Sequence, residues 1–345
     1  MSGPVHPRVT VLMTLYNKGP YVVEAIRSVL ASTFADLEVL VVDDASTDDG
    51  PALVTALADP RVRMLGSAVN TGRADAANRG YDAARGTYIA VMDADDLMHP
   101  ERIARQVAFM DAHPEVVVCG SWLEAFGAAG LTVRTPATDE EARAQSLFGM
   151  PVLYPTAMFR NRVLQHERLR CPAGWRTPGM DYLFMLDVGR HGLYGNLQEP
   201  LMQYRVGDQN MRHGRDPISD NMLLFRAVFD GFGIPASADD VRTHLFFIQL
   251  MPPPVNAAQV RAIHLWRATL LNWAAAQERF PMEALRRQLD RRWEYLFHPL
   301  SDRSIGAGFM HWRMTPGARL GQLRYLAGRL LRSRSSAVSD GKIGR

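Results

Sequence analysis

The sequence has 345 residues, 47% hydrophobic and 22% charged, with a formal net charge of +3. That balance excludes a disordered or fibrous chain, and the length allows one large domain with an appendage or two domains. The two cysteines, Cys119 and Cys171, stand apart without metal-binding spacing, which argues against a disulfide framework and a zinc site. Met1–Arg8 has no apolar signal core, and no apolar run approaches the roughly 20 residues that span a bilayer. The expectation is a cytoplasmic chain that meets a membrane, if at all, from the side.

In chain order, Val9–Leu15 is a short run of strand formers, and Tyr21–Leu30 is an amphipathic helix after Gly19-Pro20. Leu37–Asp43 is a second buried strand that ends in acids. Pro51–Ala58 is helical, Arg61–Leu65 a third strand and Arg73–Ala84 a third helix. Thr87–Met92 is a fourth strand, again ending in acids; Pro100–Ala112 is a helix and Glu115–Trp122 a further strand. Alternating strands and helices predict an α/β fold, a Rossmann-like and mostly parallel sheet with helices on both faces. Past about residue 215 the strand signals fade. Asn221–Phe232, Asp239–Leu250, Ala257–Arg279 and Met282–Phe297 place Trp, Leu and Phe on one helical face, and Met251-Pro-Pro-Pro254 breaks them. The expected organisation is a catalytic domain over 1–215 and an α-helical C-terminal region over 216–345.

Ligands of such sheets bind at the carboxyl ends of the strands. Three ends carry Thr14 and Tyr16, then Asp43 and Asp44, then Asp93, Asp95 and Asp96. Three acids in four positions repel one another, and a divalent cation relieves that repulsion. Hard oxygen ligands suit Mn²⁺ or Mg²⁺ bridged to substrate phosphates. Strand alternation would point Asp93 and Asp95 to the same side. The plainer alternative is a solvated strand-to-helix connection. A carboxylate in Asp43-Asp44 can accept the imide N–H of a pyrimidine base, while Ser46, Thr47 and Asp48 have the chemistry of turns and caps.

Thr10–Asn17, Val42–Asp48, Asn70-Thr-Gly72 with Ala77-Asn-Arg-Gly80, and Met92–Asp96 occur in the order and spacing of family 2 glycosyltransferases of the GT-A fold. Tyr154–Arg160, Met180–Phe184 and Pro200–Arg205 continue the match, which covers roughly residues 8 to 212. The resemblance implies an inverting transfer of a sugar from a nucleotide-diphosphate sugar, UDP before dTDP or GDP, to an acceptor hydroxyl. The usual setting of the family is bacterial surface polysaccharide, with a glycan or lipid-linked acceptor. By position it implies that Thr14 and Tyr16 line the nucleobase and ribose pocket and that Asp44 reads the base. Asp93 would contact ribose or metal, Asp95 would ligate the metal, and Asp181 would be the general base. Met180 stands where the family usually carries Glu. From its local sequence alone, Asp181 is an acid at a helix N-terminus.

Trp175, in the loop before Asp181, is either a stacking platform for an acceptor sugar or a packing residue. Arg205, Arg212 and His213 follow the last matched strand and could close over a diphosphate or simply pair at the surface. A nucleotidyltransferase would need a Gly-rich basic phosphate loop, which Leu15–Gly19 is not, and the dinucleotide fingerprint is absent. A non-catalytic scaffold of the same fold is the alternative of another class. Gln288–Trp293 resembles a synthase motif but has one residue too many. From Ser304 onward eight Lys or Arg face one acid, Asp340. Leu320–Leu331 repeats leucine at helical spacing beside arginines, so it lies either on anionic lipid or against the helical region. No nucleic-acid partner is expected.

Overall fold

Alternating burial decides the first half of the chain. In β1 (Val9–Leu15), Val9, Val11, Met13 and Leu15 pack in one core cluster and Leu12 in another. The strand is therefore covered on both faces. The computed structural model describes residues 6–127, 130–207, 215–278, 280–317 and 320–340, with side chains to 331. After β1 come α1 (Gly19–Leu30), β2 (Leu37–Asp43), α2 (Gly50–Ala56), β3 (Val62–Leu65), α3 (Arg73–Ala83) and β4 (Tyr88–Asp93). Next are β5 (Leu97–Met98), α4 (Arg102–Ala112), β6 (Val116–Gly127), β7 (Leu131–Val133), α5 (Asp139–Gln145), β8 (Met158–Arg160), α6 (Asn161–His166), α7 (Met180–Val188) and β9 (Leu193–Val206).

The sheet runs β3-β2-β1-β4-β8-β6-β9-β5, with β7 on β6. β3, β2, β1 and β4 are mutually parallel, as is the pair β6 and β9. β5, β7 and β8 enter antiparallel. These strands have only two or three residues, too few for an apolar alternation to reveal in sequence. Val22, Ile26 and Val29 of α1 and Ile103 and Met110 of α4 fill the cluster on one face. Ala74, Ala77 and Tyr81 of α3 and Phe184, Met185 and Val188 of α7 fill the other. The expected α/β architecture, with helices on both faces, is present.

The described chain divides into two compact units, Met1–Arg215 and Asp216–Arg345. The second holds α8 (Pro217–Phe232), α9 (Ala238–Phe247), α10 (Ala257–Ala275), α11 (Met282–Arg303), α12 (Ile305–Met314) and α13 (Leu320–Asp340). The Asp216 side chain caps α8 and Ser237 closes a capping box on α9. α11 runs six residues past the expected end at Phe297 and through Pro299. Proline removes one helix N–H, but Leu300 and Ser301 stay buried beyond it and hold the turn. Trp293, in the synthase-like stretch, is a core residue: it stacks on His311 and donates to Thr315 Oγ1 at 2.8 Å. In α13, Leu326 is buried, and Tyr325 and Arg329 bond Asp302, while Leu320, Leu330 and Leu331 are exposed. No helix among the described residues is long and apolar enough to cross a membrane.

Candidate active site

Register assembles the site. Thr14 on β1 is level with Val42 on β2 and with Asp93 on β4, and Leu15 is level with Asp43. Chain leaving these three adjacent parallel strands therefore emerges at one edge. Two loops there are stitched together. Asn17 N–H donates to Ser46 Oγ at 3.0 Å, Thr47 N–H to Asn17 Oδ1 at 2.8 Å and Gly19 N–H to Asp48 Oδ2 at 2.7 Å. A Cβ at Gly19 would lie 2.3 Å from Asp49 Oδ1, so a larger residue there would have to displace that side chain. Ser46, Thr47 and Asp48 thus do loop work, while Asp44 faces a cavity.

That cavity, about 410 Å³, is lined by Thr14, Leu15, Tyr16, Lys18, Asp44, Asn70, Gly72, Arg73, Ala76, Asp93, Ala94, Asp95, Trp175, Arg176, Thr177, Met180 and Tyr204. Thr14, Tyr16, Asp44, Asp93, Asp95 and Trp175 thus come together from across 162 positions of sequence (Thr14 to Trp175, counted inclusively). Asp44 is buried, and its carboxylate accepts from Thr71 N–H at 2.9 Å, Thr71 Oγ1 at 2.8 Å and Gly72 N–H at 2.7 Å. It holds the 70–72 loop in place as well as facing the cavity.

The acid turn differs from the alternation expected of a strand. β4 ends at Asp93, a turn follows at 94–95, and both Asp93 and Asp95 reach the cavity through that turn. Each is met by a cation. Arg73 Nη2 holds both oxygens of Asp93, at 2.8 and 3.1 Å, and Lys18 Nζ donates to Asp95 Oδ2 at 2.6 Å. Asp96 is fully buried; its Oδ1 accepts from Arg205 N–H, and its Oδ2 has no hydrogen-bond partner. Burial, then the neighbouring Asp93 charge, pushes the Asp96 carboxyl up to about 9. The repulsion that motivated a metal is thus already relieved by two ion pairs and one proton. Among the described residues no group of three or more His, Cys, Asp or Glu could hold a metal ion. Two cavity-facing carboxylates still fit an Mn²⁺ or Mg²⁺ whose shell is completed by substrate phosphates.

Asp181 lies in the first turn of α7, and its Oδ1 accepts from Tyr182 N–H at 2.9 Å. It is not among the cavity-lining residues, although its neighbour Met180 is. Burial opposes the charge on Arg73, but the fields of Asp93 and then Asp181 hold its guanidinium above its ordinary range, so Arg73 lies within reach of both acids. Trp175 Nε1 donates to Pro178 O at 3.4 Å and its ring packs on the core while lining the cavity. Arg205 is placed elsewhere. Its guanidinium donates to Asp95 O at 2.9 Å and Glu24 Oε2 at 2.8 Å, between the rings of Tyr21 and Phe126. It buttresses the acid turn and does not line the cavity. Arg212 and His213 lie outside the described residues.

The profile of glycosyl transferase family 2 matches residues 10–168. A putative glycosyltransferase of Bacillus subtilis (strain 168), EpsE, is 31% identical over 232 residues, covering 63% of this chain and 80% of that protein. The chain belongs to glycosyl transferase family 2. Another relative, the succinoglycan biosynthesis protein ExoO of Rhizobium meliloti (strain 1021), is 35% identical over 193 residues, 52% of this chain. The chain spans 55% of ExoO's length. Among solved structures, S. aureus TarS 1-349 in complex with UDP-GlcNAc aligns with a TM-score of 0.57 at 16% identity, covering 89% of each chain. The mannosyltransferase PcManGT of Pyrobaculum calidifontis, in complex with GDP-Man and Mn²⁺, aligns with a TM-score of 0.53 at 19% identity, covering 90% of this chain and 89% of that one. These two share the GT-A fold.

Three cavity cations of this family 2 chain, Lys18, Arg73 and Arg176, escaped the sequence reading. Lys18 and Arg73 flank helix starts just after strand-end loops, which is the signal that could have found them. Gly72 has φ +95°, and a Cβ there would lie 3.0 Å from Arg176 Nη1, so glycine at 72 admits that arginine.

Proposed function

We propose that this chain transfers a sugar, with inversion, from a nucleotide-diphosphate sugar to an acceptor hydroxyl. The observation that carries the proposal is the convergence of Thr14, Tyr16, Asp44, Asp93 and Asp95 on one cavity of about 410 Å³, a size suited to a small-molecule ligand. Thr14, Tyr16 and Asp44 line the part assigned to base and ribose. Asp93 and Asp95 face the diphosphate, where they would hold Mn²⁺ or Mg²⁺. Such an ion neutralises the charge that builds on the departing diphosphate. Lys18 and Arg73 add positive charge beside the same carboxylates. Asp181 accepts the proton of the acceptor hydroxyl as its oxygen bonds the anomeric carbon. The bond from that carbon to the diphosphate oxygen breaks on the opposite face, and the electron pair leaves with the nucleotide. Trp175, beside Met180, offers a ring for the acceptor sugar.

The complexes of the two structural neighbours, one with UDP-GlcNAc and one with GDP-Man and Mn²⁺, support a nucleotide-sugar donor and a metal. The succinoglycan relative supports a setting in polysaccharide assembly. UDP is the first choice of nucleotide. The exposed Leu320, Leu330 and Leu331 of α13, with the basic tail, support peripheral contact with the cytoplasmic face of a membrane that carries the acceptor. The test is a melting panel of the full chain with UDP, dTDP, GDP and NAD⁺, each with and without Mn²⁺. A ligand that binds the folded state raises its melting temperature. Stabilisation by a nucleoside diphosphate, larger with Mn²⁺, is expected; no response to any of the diphosphates would overturn the proposal.

A further inference from the structure

Two of the three cavity cations meet carboxylates of the chain itself. Lys18 Nζ lies 2.6 Å from Asp95 Oδ2, and Arg73 Nη2 holds both oxygens of Asp93. Arg176, the third, is exposed and has no carboxylate partner among the described residues. We propose that Arg176 binds the phosphates of the donor nucleotide. The inference rests on the donor site proposed above.

The loop that carries this arginine is tied down at both ends. Asn78 of α3 clasps Cys171 twice: its Nδ2 donates to Cys171 O at 2.9 Å, and its Oδ1 accepts from Cys171 N–H at 2.7 Å. Trp175 N–H then donates to Pro172 O at 3.2 Å and closes a turn, and the indole Nε1 reaches Pro178 O. At the far end Met180 is buried in the first turn of α7. Between these anchors the guanidinium lies on Gly72, the N-cap of α3. A Cβ at 72 would stand 3.0 Å from Arg176 Nη1, 3.5 Å from Cζ and 3.7 Å from Cδ. α3 therefore fixes the loop through Asn78 and receives its arginine at Gly72.

Gly72 also gives the place of the arginine along the cavity. Its N–H donates to Asp44 Oδ2 at 2.7 Å, and the next residue, Arg73, holds Asp93. A nucleotide with its base at Asp44 and its diphosphate at Asp93 and Asp95 passes this point, which brings its phosphates to the guanidinium. Lys18 and Arg73 would divide their N–H groups between phosphate and a carboxylate, whereas Arg176 can turn its planar fork wholly to phosphate oxygens. Thr177, next in the chain, lines the same cavity, and its hydroxyl has no hydrogen-bond partner among the described residues. It is a second donor for the same oxygens.

The test is calorimetric titration of the full chain with UDP and with uridine, at low and at high salt, and with GDP and guanosine as the other pair. Arg176→Gln should weaken the diphosphate by about tenfold or more, the scale of one charge-assisted bond, and leave the nucleoside within about twofold of wild type. The deficit should shrink at high salt, because the charge of an exposed guanidinium is screened. Arg176→Lys keeps the charge without the fork and should fall between wild type and Arg176→Gln. Unchanged diphosphate affinity in folded Arg176→Gln overturns the proposal. So does an equal loss for nucleoside and diphosphate, which would make Arg176 a packing residue of its loop. If the nucleoside binds too weakly to titrate, the salt series decides: a deficit that persists undiminished at high salt overturns phosphate pairing. A wild type that binds neither UDP nor GDP sinks the donor-site reading itself, and this inference with it.

Discussion

Asp44 carries two duties in this fold, and Asp44→Asn separates them. The carboxylate is 3% exposed and accepts from Thr71 N–H, Thr71 Oγ1 and Gly72 N–H at 2.7 to 2.9 Å, with Arg79 at 3.5 Å. Asparagine keeps one acceptor oxygen and turns an NH₂ toward the remaining donor. One charge-assisted bond is lost and one N–H is left facing another donor. Together these cost about 3 kcal/mol. For a unit of this size that lowers the melting temperature by roughly 6 to 12 °C. The loop so loosened supplies Asn70 and Gly72 to the cavity, so nucleotide affinity falls as well. Calorimetry of the full chain reads the first quantity and titration with UDP the second. Melting within about 2 °C of wild type would refute the argument that Asp44 holds the 70–72 loop. A large loss of stability with unchanged UDP affinity would remove Asp44 from base recognition.

Four further outcomes are expected. Asp95→Ala stays folded, removes the ion pair with Lys18 and loses the Mn²⁺-dependent part of nucleotide binding, as titration with and without Mn²⁺ would show. Asp181→Asn keeps donor affinity but loses turnover by about 100-fold or more, read by single-turnover transfer; near-normal turnover would return Asp181 to its role at the start of α7. His311 is buried with Nε2 2.7 Å from Trp293 O, and burial holds its pKa down at about 4 against 6.5 ordinarily. The unfolded chain therefore takes up the proton first, so the contribution is intact above pH 6.5 and is lost as pH falls toward 4, by about 3 kcal/mol in all. His311→Gln should flatten that stretch of the stability curve, and parallel curves would refute it. In flotation with anionic vesicles the full chain should bind and a chain ending at Pro316 should not; equal binding by both would take the tail out of membrane contact.

How much of this was legible in sequence differs from residue to residue. Val9–Leu15, Leu37–Asp43 and the strand ending at Asp93 announce themselves as apolar runs closed by acids, because a strand covered on both faces must be apolar along its length. Their order alone implies that Thr14, Asp44 and Asp95 share one edge, since parallel strands end together. β5, β7 and β8 were not legible, because strands of two or three residues owe their existence to the partners they pair with. The composition of the acid turn implied crowded negative charge and hence a cation. Which cation meets each acid depends on how Lys18, 77 positions from Asp95, and Arg73, 20 positions from Asp93, are brought together in space with those acids. Arg205 shows the same limit. Its position after the last matched strand fits a diphosphate contact, yet β9 turns it between Tyr21 and Phe126 to support Asp95 from its carbonyl. Residue types in order determined the fold class, the edge where the site lies and the acids on it. Only tertiary packing decided the partner of each charge, because an ion pair depends on distances between strands and loops that local sequence does not encode.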